Sequence, residues 1–168
     1  KNGWHGKALK KDELTRALAE LGPVDKTVRG LIPKPEDLRP VEQHAQQVRP
    51  VSYSGEKPVA TRHAYGSALV RIFPRFPDMV VLDAEVSNST FSELFKTAHR
   101  ERFFEMFIAE QNMVGAALGL ALRGKVPFVS SFAAFLTRAA DQIRMTRYSN
   151  GNVKFCGSHA GVSIGEDG

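Results

Sequence analysis

Residues 103–131 read FFEMFIAEQNMVGAALGLALRGKVPFVSS, and this stretch decides the fold class of the chain. The apolar residues at 103–108 predict a strand, residues 110–123 predict a helix, and residues 126–131 predict a second strand. A strand, a helix and a strand in this order form the unit from which parallel sheets are built. The stretch therefore predicts an α/β domain.

The sequence on both sides of this stretch repeats the same alternation. The run MVVL at Met79–Leu82 is short and continuously apolar, which is typical of a strand buried on two faces. The other predicted elements are a helix capped by Thr61 that continues to about Phe73, a loop and short helix at 88–98, a helix at 133–148 and a strand at 153–157. Together they predict a doubly wound, mainly parallel sheet with helices on both faces.

The first 58 residues differ from the rest of the chain. One helix is predicted there, capped by Asp12, with an apolar stripe of Leu14, Ala17, Leu18 and Leu21. Six prolines between positions 23 and 58 then favour an extended, semi-rigid linker. Because the chain starts at Lys1 rather than Met and stops at GEDG, we expect it to be a piece of a longer protein.

Composition limits the partners. The 168 residues carry a formal net charge of +5, and the basic residues are scattered, which argues against nucleic-acid binding. No apolar run approaches the roughly 20 residues that span a bilayer. Cys156 is the single cysteine, so a reducing, cytoplasmic location is expected.

Polar clusters follow each predicted strand, and in open α/β sheets these strand ends converge on one site. The clusters are Asp83-Ala84-Glu85, Glu110, Ser130-Ser131 and Ser158-His159. Glu110 could be an ordinary acid favoured by a helix N-terminus, or it could share a proton with a ring nitrogen as a general acid. Phe132 and Phe135 could be core residues or could grip a flat heteroaromatic ring.

Several motifs in one order carry a family resemblance. IAEQNM at 108–113, SSFAAFLTRAADQIR at 130–144 and CGSHAGVSIGEDG at 156–168 resemble the pyrimidine-binding domain of transketolases. WHGK at 4–7 is similar to the end of the preceding, diphosphate-binding domain of that family. The resemblance implies that residues 1–58 are the end of that domain and the linker. Residues 59–168 would be the pyrimidine-binding domain, truncated at its C-terminus.

The resemblance also implies roles for individual residues around thiamine diphosphate. Glu110 matches the glutamate that hydrogen-bonds N1′ of the aminopyrimidine, and Phe132 and Phe135 match the aromatic residues that hold that ring. The next pocket position, aromatic in part of the family, is Arg138 here, as in the shorter, animal-type transketolases. Glu85 stands where the family usually has an Asp near the thiazolium, so its cofactor-binding role is open.

Substrate residues are implied in the same way. Arg62, Ser89 and His159 match residues that bind the phosphate of the sugar phosphate. Asp167 matches an acid that binds a hydroxyl of the donor ketose, and His5 matches a catalytic histidine at the reacting end. Without the resemblance, Arg62, Ser89 and His5 would be read as a helix-start arginine, a helix cap and a surface histidine. Mg²⁺ is also implied, with its ligands in the preceding domain and none in this chain.

We therefore expect part of a thiamine-diphosphate-dependent transketolase, which moves a two-carbon ketol unit from a ketose phosphate to an aldose phosphate in the pentose phosphate pathway. A homodimer with the cofactor at the subunit interface is implied, and the fragment alone should be inactive. One alternative is a related thiamine enzyme such as deoxyxylulose-phosphate synthase. The corresponding motif of that family resembles AEQHA, whereas this chain has AEQNM. The other is a non-catalytic, transketolase-like interaction protein.

Overall fold

The computed structural model describes residues 8–34, 44–50, 55 and 57–161, and the chain divides into two compact units, Lys1–Pro40 and Val41–Gly168. In the first unit, helix α1 spans Lys11–Leu21. The prediction that Asp12 caps this helix is wrong, because Asp12 lies inside the first turn and Lys10 is the capping position. The Glu13 carboxylate accepts the Lys10 backbone N–H at 2.8 Å and so satisfies the helix start from within.

The second unit contains four strands and the remaining helices of the described chain. The strands are β1 (Met79–Asp83), β2 (Phe103–Glu105), β3 (Val126–Phe132) and β4 (Lys154–Ser158). The helices are α2 (Thr61–Ile72), α3 (Ser87–Thr90), α4 (Glu93–Ala98), α5 (Glu110–Leu122), α6 (Ala133–Leu136) and α7 (Ala140–Tyr148).

The four strands form one sheet in the order β2-β1-β3-β4, and every pair is parallel. The chain leaves β1 toward β2 on one side and leaves β3 toward β4 on the other. The order therefore reverses between β1 and β3, which is where open α/β sheets place their ligands. This topology confirms the predicted doubly wound, parallel α/β fold.

Burial on both faces explains why Met79–Leu82 of strand β1 is continuously apolar. Val80 and Leu82 pack on one face against α5, while Met79 and Val81 pack on the other face in the cluster that includes Phe95 of α4. All five β1 residues are buried. Because a strand alternates its side chains between two faces, a strand covered on both faces is apolar along most of its length, and in β1 only the last residue, Asp83, is polar.

Several predicted elements differ from the structure in their bounds. Strand β2 ends at Glu105 rather than Ile108, because Phe107 adopts a left-handed backbone (φ 55°) that turns the chain out of the sheet. The helix predicted at 133–148 is divided into α6 and α7 by a 3₁₀ turn at Thr137–Ala139. Thr61 does not cap α2 but is its first residue, after Ala60 at the capping position.

Within the described ranges, none of the helices has both the length and the apolar character needed to cross a membrane.

Candidate active site

The three residues predicted to bind phosphate come together at the carboxyl edge of the sheet. Arg62, in the first turn of α2, donates through Nη1 to the Ser89 backbone carbonyl at 3.1 Å and to Nε2 of His159 at 3.2 Å. Ser89 contacts Arg62 through its backbone carbonyl oxygen. The prediction that Ser89 binds phosphate stays a prediction. A pocket lined by Thr61, Arg62, Cys156 and His159 opens beside them. This corner, the Arg62–Ser89–His159 cluster, presents an exposed guanidinium to a ligand.

Asp83, the last residue of β1, hydrogen-bonds the segment 86–92, which carries Ser89. The Asp83 carboxylate is fully buried and accepts the Val86 backbone N–H and the hydroxyls of Thr90 and Ser92, each at 2.8 Å. Burial raises the pKa of Asp83 to about 6, and the three hydrogen bonds oppose that rise. Asp83 is therefore a structural hub for the segment that receives Arg62.

Helix α2 touches this segment without any side chain between the two backbones. A Cβ atom at Gly66 would lie 2.2 Å from the Phe91 carbonyl oxygen, so glycine is required at this position. Phe91 itself has a left-handed backbone (φ 61°), and its ring lies 5.3 Å from the Arg62 guanidinium carbon. Close approach at Gly66 brings Arg62 within reach of Ser89.

Glu110 occupies the first turn of α5, and the helix start favours its negative charge. The residue is 3% exposed although it stands at the edge of the sheet. Its Oε1 accepts a hydrogen bond from Arg138 Nη1 at 2.5 Å, and the Arg138 side chain is half exposed. A pocket lined by both residues, Ile108 and Asn112 opens to solvent here. The structure thus gives a buried carboxylate one accessible approach.

Phe132 and Phe135 are in contact with each other, with ring centroids 5.1 Å apart and planes 21° from parallel. To hold a flat ligand ring between them, the two phenyl rings would have to stand about two stacking distances apart. In this structure they touch, so no slot is open between them. The His159 ring lies 4.0 Å from Phe132, and the Arg138 guanidinium lies 4.9 Å from Phe135. The four side chains form one row, the His159–Phe132–Phe135–Arg138 stack, between the phosphate corner and Glu110.

The remaining predicted site residues are placed less completely. Glu85 lies at the end of β1 with a left-handed backbone (φ 62°), and its N–H donates to Glu105 Oε1 at 2.9 Å. It is exposed, on the side of the sheet edge that leads to β2. His5 and Asp167 lie outside the described residues. Across residues 8–34, 44–50, 55 and 57–161, no cluster of three or more His, Cys, Asp or Glu side chains could hold a metal ion.

Three residues of this edge, Arg138, Asp83 and Ser158, make contacts that the sequence did not predict. Arg138 was noted only as a departure from an aromatic position, and its pairing with Glu110 spans 28 residues. Asp83 was counted in a polar cluster without a role, although a carboxylate ending an apolar strand is a signal for a buried hydrogen-bonded hub. Ser158 donates or accepts at Nδ1 of His159 at 2.8 Å, and its position next to a site histidine was the available signal.

A doubly wound α/β domain with a cationic corner and a buried acid at the carboxyl edge of its sheet is typical of a ligand-binding domain. The family described as "Transketolase, pyrimidine binding domain" matches residues 57–168. The chain is 49% identical to transketolase-like protein 2 of Mus musculus over 170 residues, which is 98% of this chain and 27% of that protein. It is 45% identical to transketolase of Homo sapiens, covering 100% of this chain and 28% of that protein. The chain belongs to the transketolase pyrimidine-binding domain family.

Solved structures agree with this assignment. A split gene transketolase, determined as an inactive β4 tetramer, is 48% identical with a TM-score of 0.55, over 60% of this chain and 34% of that chain. Transketolase from Pichia stipitis in complex with sedoheptulose 7-phosphate has a TM-score of 0.61 at 23% identity, over 71% of this chain and 20% of that chain, and shows the shared fold. The chain spans little more than a quarter of the length of the curated relatives that it matches.

Proposed function

We propose that this chain supplies the pyrimidine-binding part of a thiamine-diphosphate-dependent transketolase, which transfers a two-carbon ketol unit between sugar phosphates. The observation that carries the proposal is Glu110, a carboxylate 3% exposed at the start of α5 in a chain of this family. Thiamine diphosphate supplies, when bound, a nucleophilic carbon and an electron sink for the two-carbon unit. The residues of this chain would bind and orient the substrate and handle a proton at the ring nitrogen.

Glu110 is suited to hold a proton against a ring nitrogen because its carboxylate is shielded from water and reached from one side. Arg138 donates to Oε1, and Glu110 also lines the adjoining pocket, in which its second oxygen would meet a ligand. Changing Glu110→Gln keeps the size and a hydrogen bond but removes the acid. We expect turnover to fall by about 100- to 10,000-fold, the usual contribution of general acid–base catalysis. Glu93→Gln, the same change at the first residue of α4, is the matched control and should have little effect.

The phosphate corner would hold the anionic end of a sugar phosphate. Charge-assisted hydrogen bonds contribute about 1.5–3 kcal/mol each, so Arg62→Ala should raise KM for a phosphorylated donor by roughly 10- to 150-fold. Hydroxypyruvate carries no phosphate, and its KM should hardly change. Arg71→Ala, in the last turn of the same helix, serves as the control. Equal losses with both donors would mean that Arg62 supports the fold and not the phosphate.

A homodimer is also proposed, supported by exposed apolar side chains beside Glu110. Phe107 is 61% exposed and Ile108 is 74% exposed, and adjoining exposed apolar residues commonly mark an interface. Sedimentation of the complete protein should give a dimer, and Phe107→Ser with Ile108→Ser should weaken it. A monomer that is fully active would contradict this part of the proposal.

The non-catalytic alternative remains a distinct candidate because transketolase-like proteins are among the relatives. A direct assay separates the two. Ketol transfer by the complete protein, abolished by Glu110→Gln, supports the enzyme, whereas a folded protein with no turnover supports the interaction protein. On the family assignment we also propose a place in the pentose phosphate pathway and a cytoplasmic location, which cell fractionation would test.

A further inference from the structure

The protonation pattern of His159 follows from its two neighbours. Arg62 Nη1 lies 3.2 Å from Nε2, and a guanidinium has donors but no acceptor. Nε2 must therefore accept, so the neutral ring carries its proton on Nδ1. Nδ1 lies 2.8 Å from Ser158 Oγ, which accepts this proton in the same arrangement. The Ser158 hydroxyl then points toward the Ser131 carbonyl oxygen, 3.5 Å away.

A bound phosphate would need the opposite pattern. Phosphate oxygens at pH 8 are acceptors, because the second pKa of a phosphate ester is about 6. A lone pair on Nε2 facing such an oxygen would repel it, so His159 can assist binding only with a proton on Nε2. Nδ1 would then have to accept a hydrogen bond. A serine hydroxyl is suited to both states since it has one donor and two acceptor lone pairs.

Resting on the proposed phosphate site, we propose that Ser158 is a positioning residue that lets His159 exchange tautomers when phosphate binds. In the free protein Ser158 accepts from Nδ1–H. In the bound state Ser158 donates to Nδ1, Nε2–H donates to the phosphate, and Arg62 Nη1 turns from Nε2 to donate to the phosphate as well. One proton leaves Nδ1 for solvent and one is taken up at Nε2, so the charge of the ring does not change.

Local structure makes exchange of the proton simpler than rotation of the ring. His159 has a left-handed backbone (φ 51°) directly after the last residue of β4, and its ring lies 4.0 Å from Phe132 at 31°. Both features fix the direction of the side chain. Reversing the ring would also remove the 2.8 Å contact with Ser158. The hydroxyl of Ser158 is the group that can change its role without moving a heavy atom.

Two variants of equal shape test the hydroxyl in the complete enzyme. Thr keeps the hydroxyl and Val replaces it by a methyl group, and both are well accepted in a strand. We expect Ser158→Thr to keep the KM for a phosphorylated donor within about threefold. Ser158→Val should raise that KM by roughly 5- to 150-fold, the cost of an unpaired polar group at the site, and should leave the KM for hydroxypyruvate unchanged. Equal effects of Thr and Val, or equal effects on both donors, would overturn the proposal.

Neutron diffraction from crystals of the complete protein reads the proton directly. With deuterium exchange at pH 8 we expect deuterium on Nδ1 in the free protein and on Nε2 after soaking with inorganic phosphate. Deuterium on Nε2 before the soak, or on both nitrogens after it, would overturn tautomer exchange. Failure of the phosphate site is distinguishable, because Arg62→Ala would then leave the KM for phosphorylated donors unchanged. A raised KM for Arg62→Ala with an unaffected Ser158→Val would refute only the role of Ser158.

Discussion

Substitution of Gly66 by Ala tests how the phosphate corner is assembled. The new Cβ would lie 2.2 Å from the Phe91 carbonyl oxygen and 2.8 Å from its carbonyl carbon. Reaching ordinary contact at 3.4 Å requires α2 and the segment 86–92 to separate by about 1.2 Å. Such overpacking costs about 1–3 kcal/mol, and the better helix propensity of Ala offsets up to about 1 kcal/mol of this.

The same chain offers two matched controls. Gly115 and Gly119 lie in α5, and a Cβ at either position would meet no atom within 4 Å. Ala there should stabilise the chain by about 0.5–1 kcal/mol. Urea unfolding should therefore rank Gly66→Ala as the least stable of the three single variants, below the native chain.

Function should follow the geometry. The Arg62 hydrogen bond to Ser89 is 3.1 Å long, and a retreat of about 1.2 Å would break it. In the complete enzyme, Gly66→Ala should raise the KM for phosphorylated donors by roughly 10-fold, the low end of the effect of one lost charge-assisted hydrogen bond. The KM for hydroxypyruvate should rise less. If Gly66→Ala proved as stable as Gly115→Ala with an unchanged KM, the backbone contact would not be what places Arg62.

Three further predictions concern stability and activity. Asp83 has a folded-state pKa of about 6 against an ordinary value of 3.8, so the folded state prefers the protonated carboxyl. Its contribution to the free energy of unfolding is therefore fully present below about pH 4 and is lost as the pH rises through 6. Asp83→Asn should therefore gain about 2 kcal/mol relative to the native chain between pH 4 and pH 7 in urea unfolding, and a constant difference would refute this. Arg138→Met should destabilise by roughly 1–3 kcal/mol because it leaves the Glu110 carboxylate buried without its cation, and adding Glu110→Gln should recover most of that loss in a double-mutant cycle. The 168-residue chain alone should show no ketol transfer from xylulose 5-phosphate, and measurable turnover would disprove that expectation.

The sheet could be predicted because its signals are local. A continuously apolar run such as Met79–Leu82 has one consistent reading, a strand covered on both faces, and the structure places it between two strands. The end of β2 could not be predicted in this way. Phe107 adopts a left-handed backbone that aromatic residues disfavour, so the turn is imposed by the surrounding structure and not by the residue itself.

The sequence predicted which residues belong to the site better than it predicted which of their atoms are in contact. Arg62 and His159 are 97 residues apart, and only the family resemblance brought them together before the structure did. The contact of Arg62 with the backbone oxygen of Ser89 carries no sequence signal. Phe132 and Phe135 were expected to be neighbours from their spacing. Whether they touch or leave a gap depends on rotamers, which spacing does not encode.

The His159–Phe132–Phe135–Arg138 stack has a thermodynamic consequence. A flat ligand that entered between the two phenyl rings would move at least one of them, and each ring contacts a neighbour, His159 beside Phe132 and Arg138 beside Phe135. Occupancy at one end then changes the free energy of binding at the other. Linkage makes this change reciprocal, so the factor by which the first ligand alters the affinity of the second equals the factor in the reverse order. The binding free energies measured singly at the two ends will not sum to the free energy of binding both ligands together.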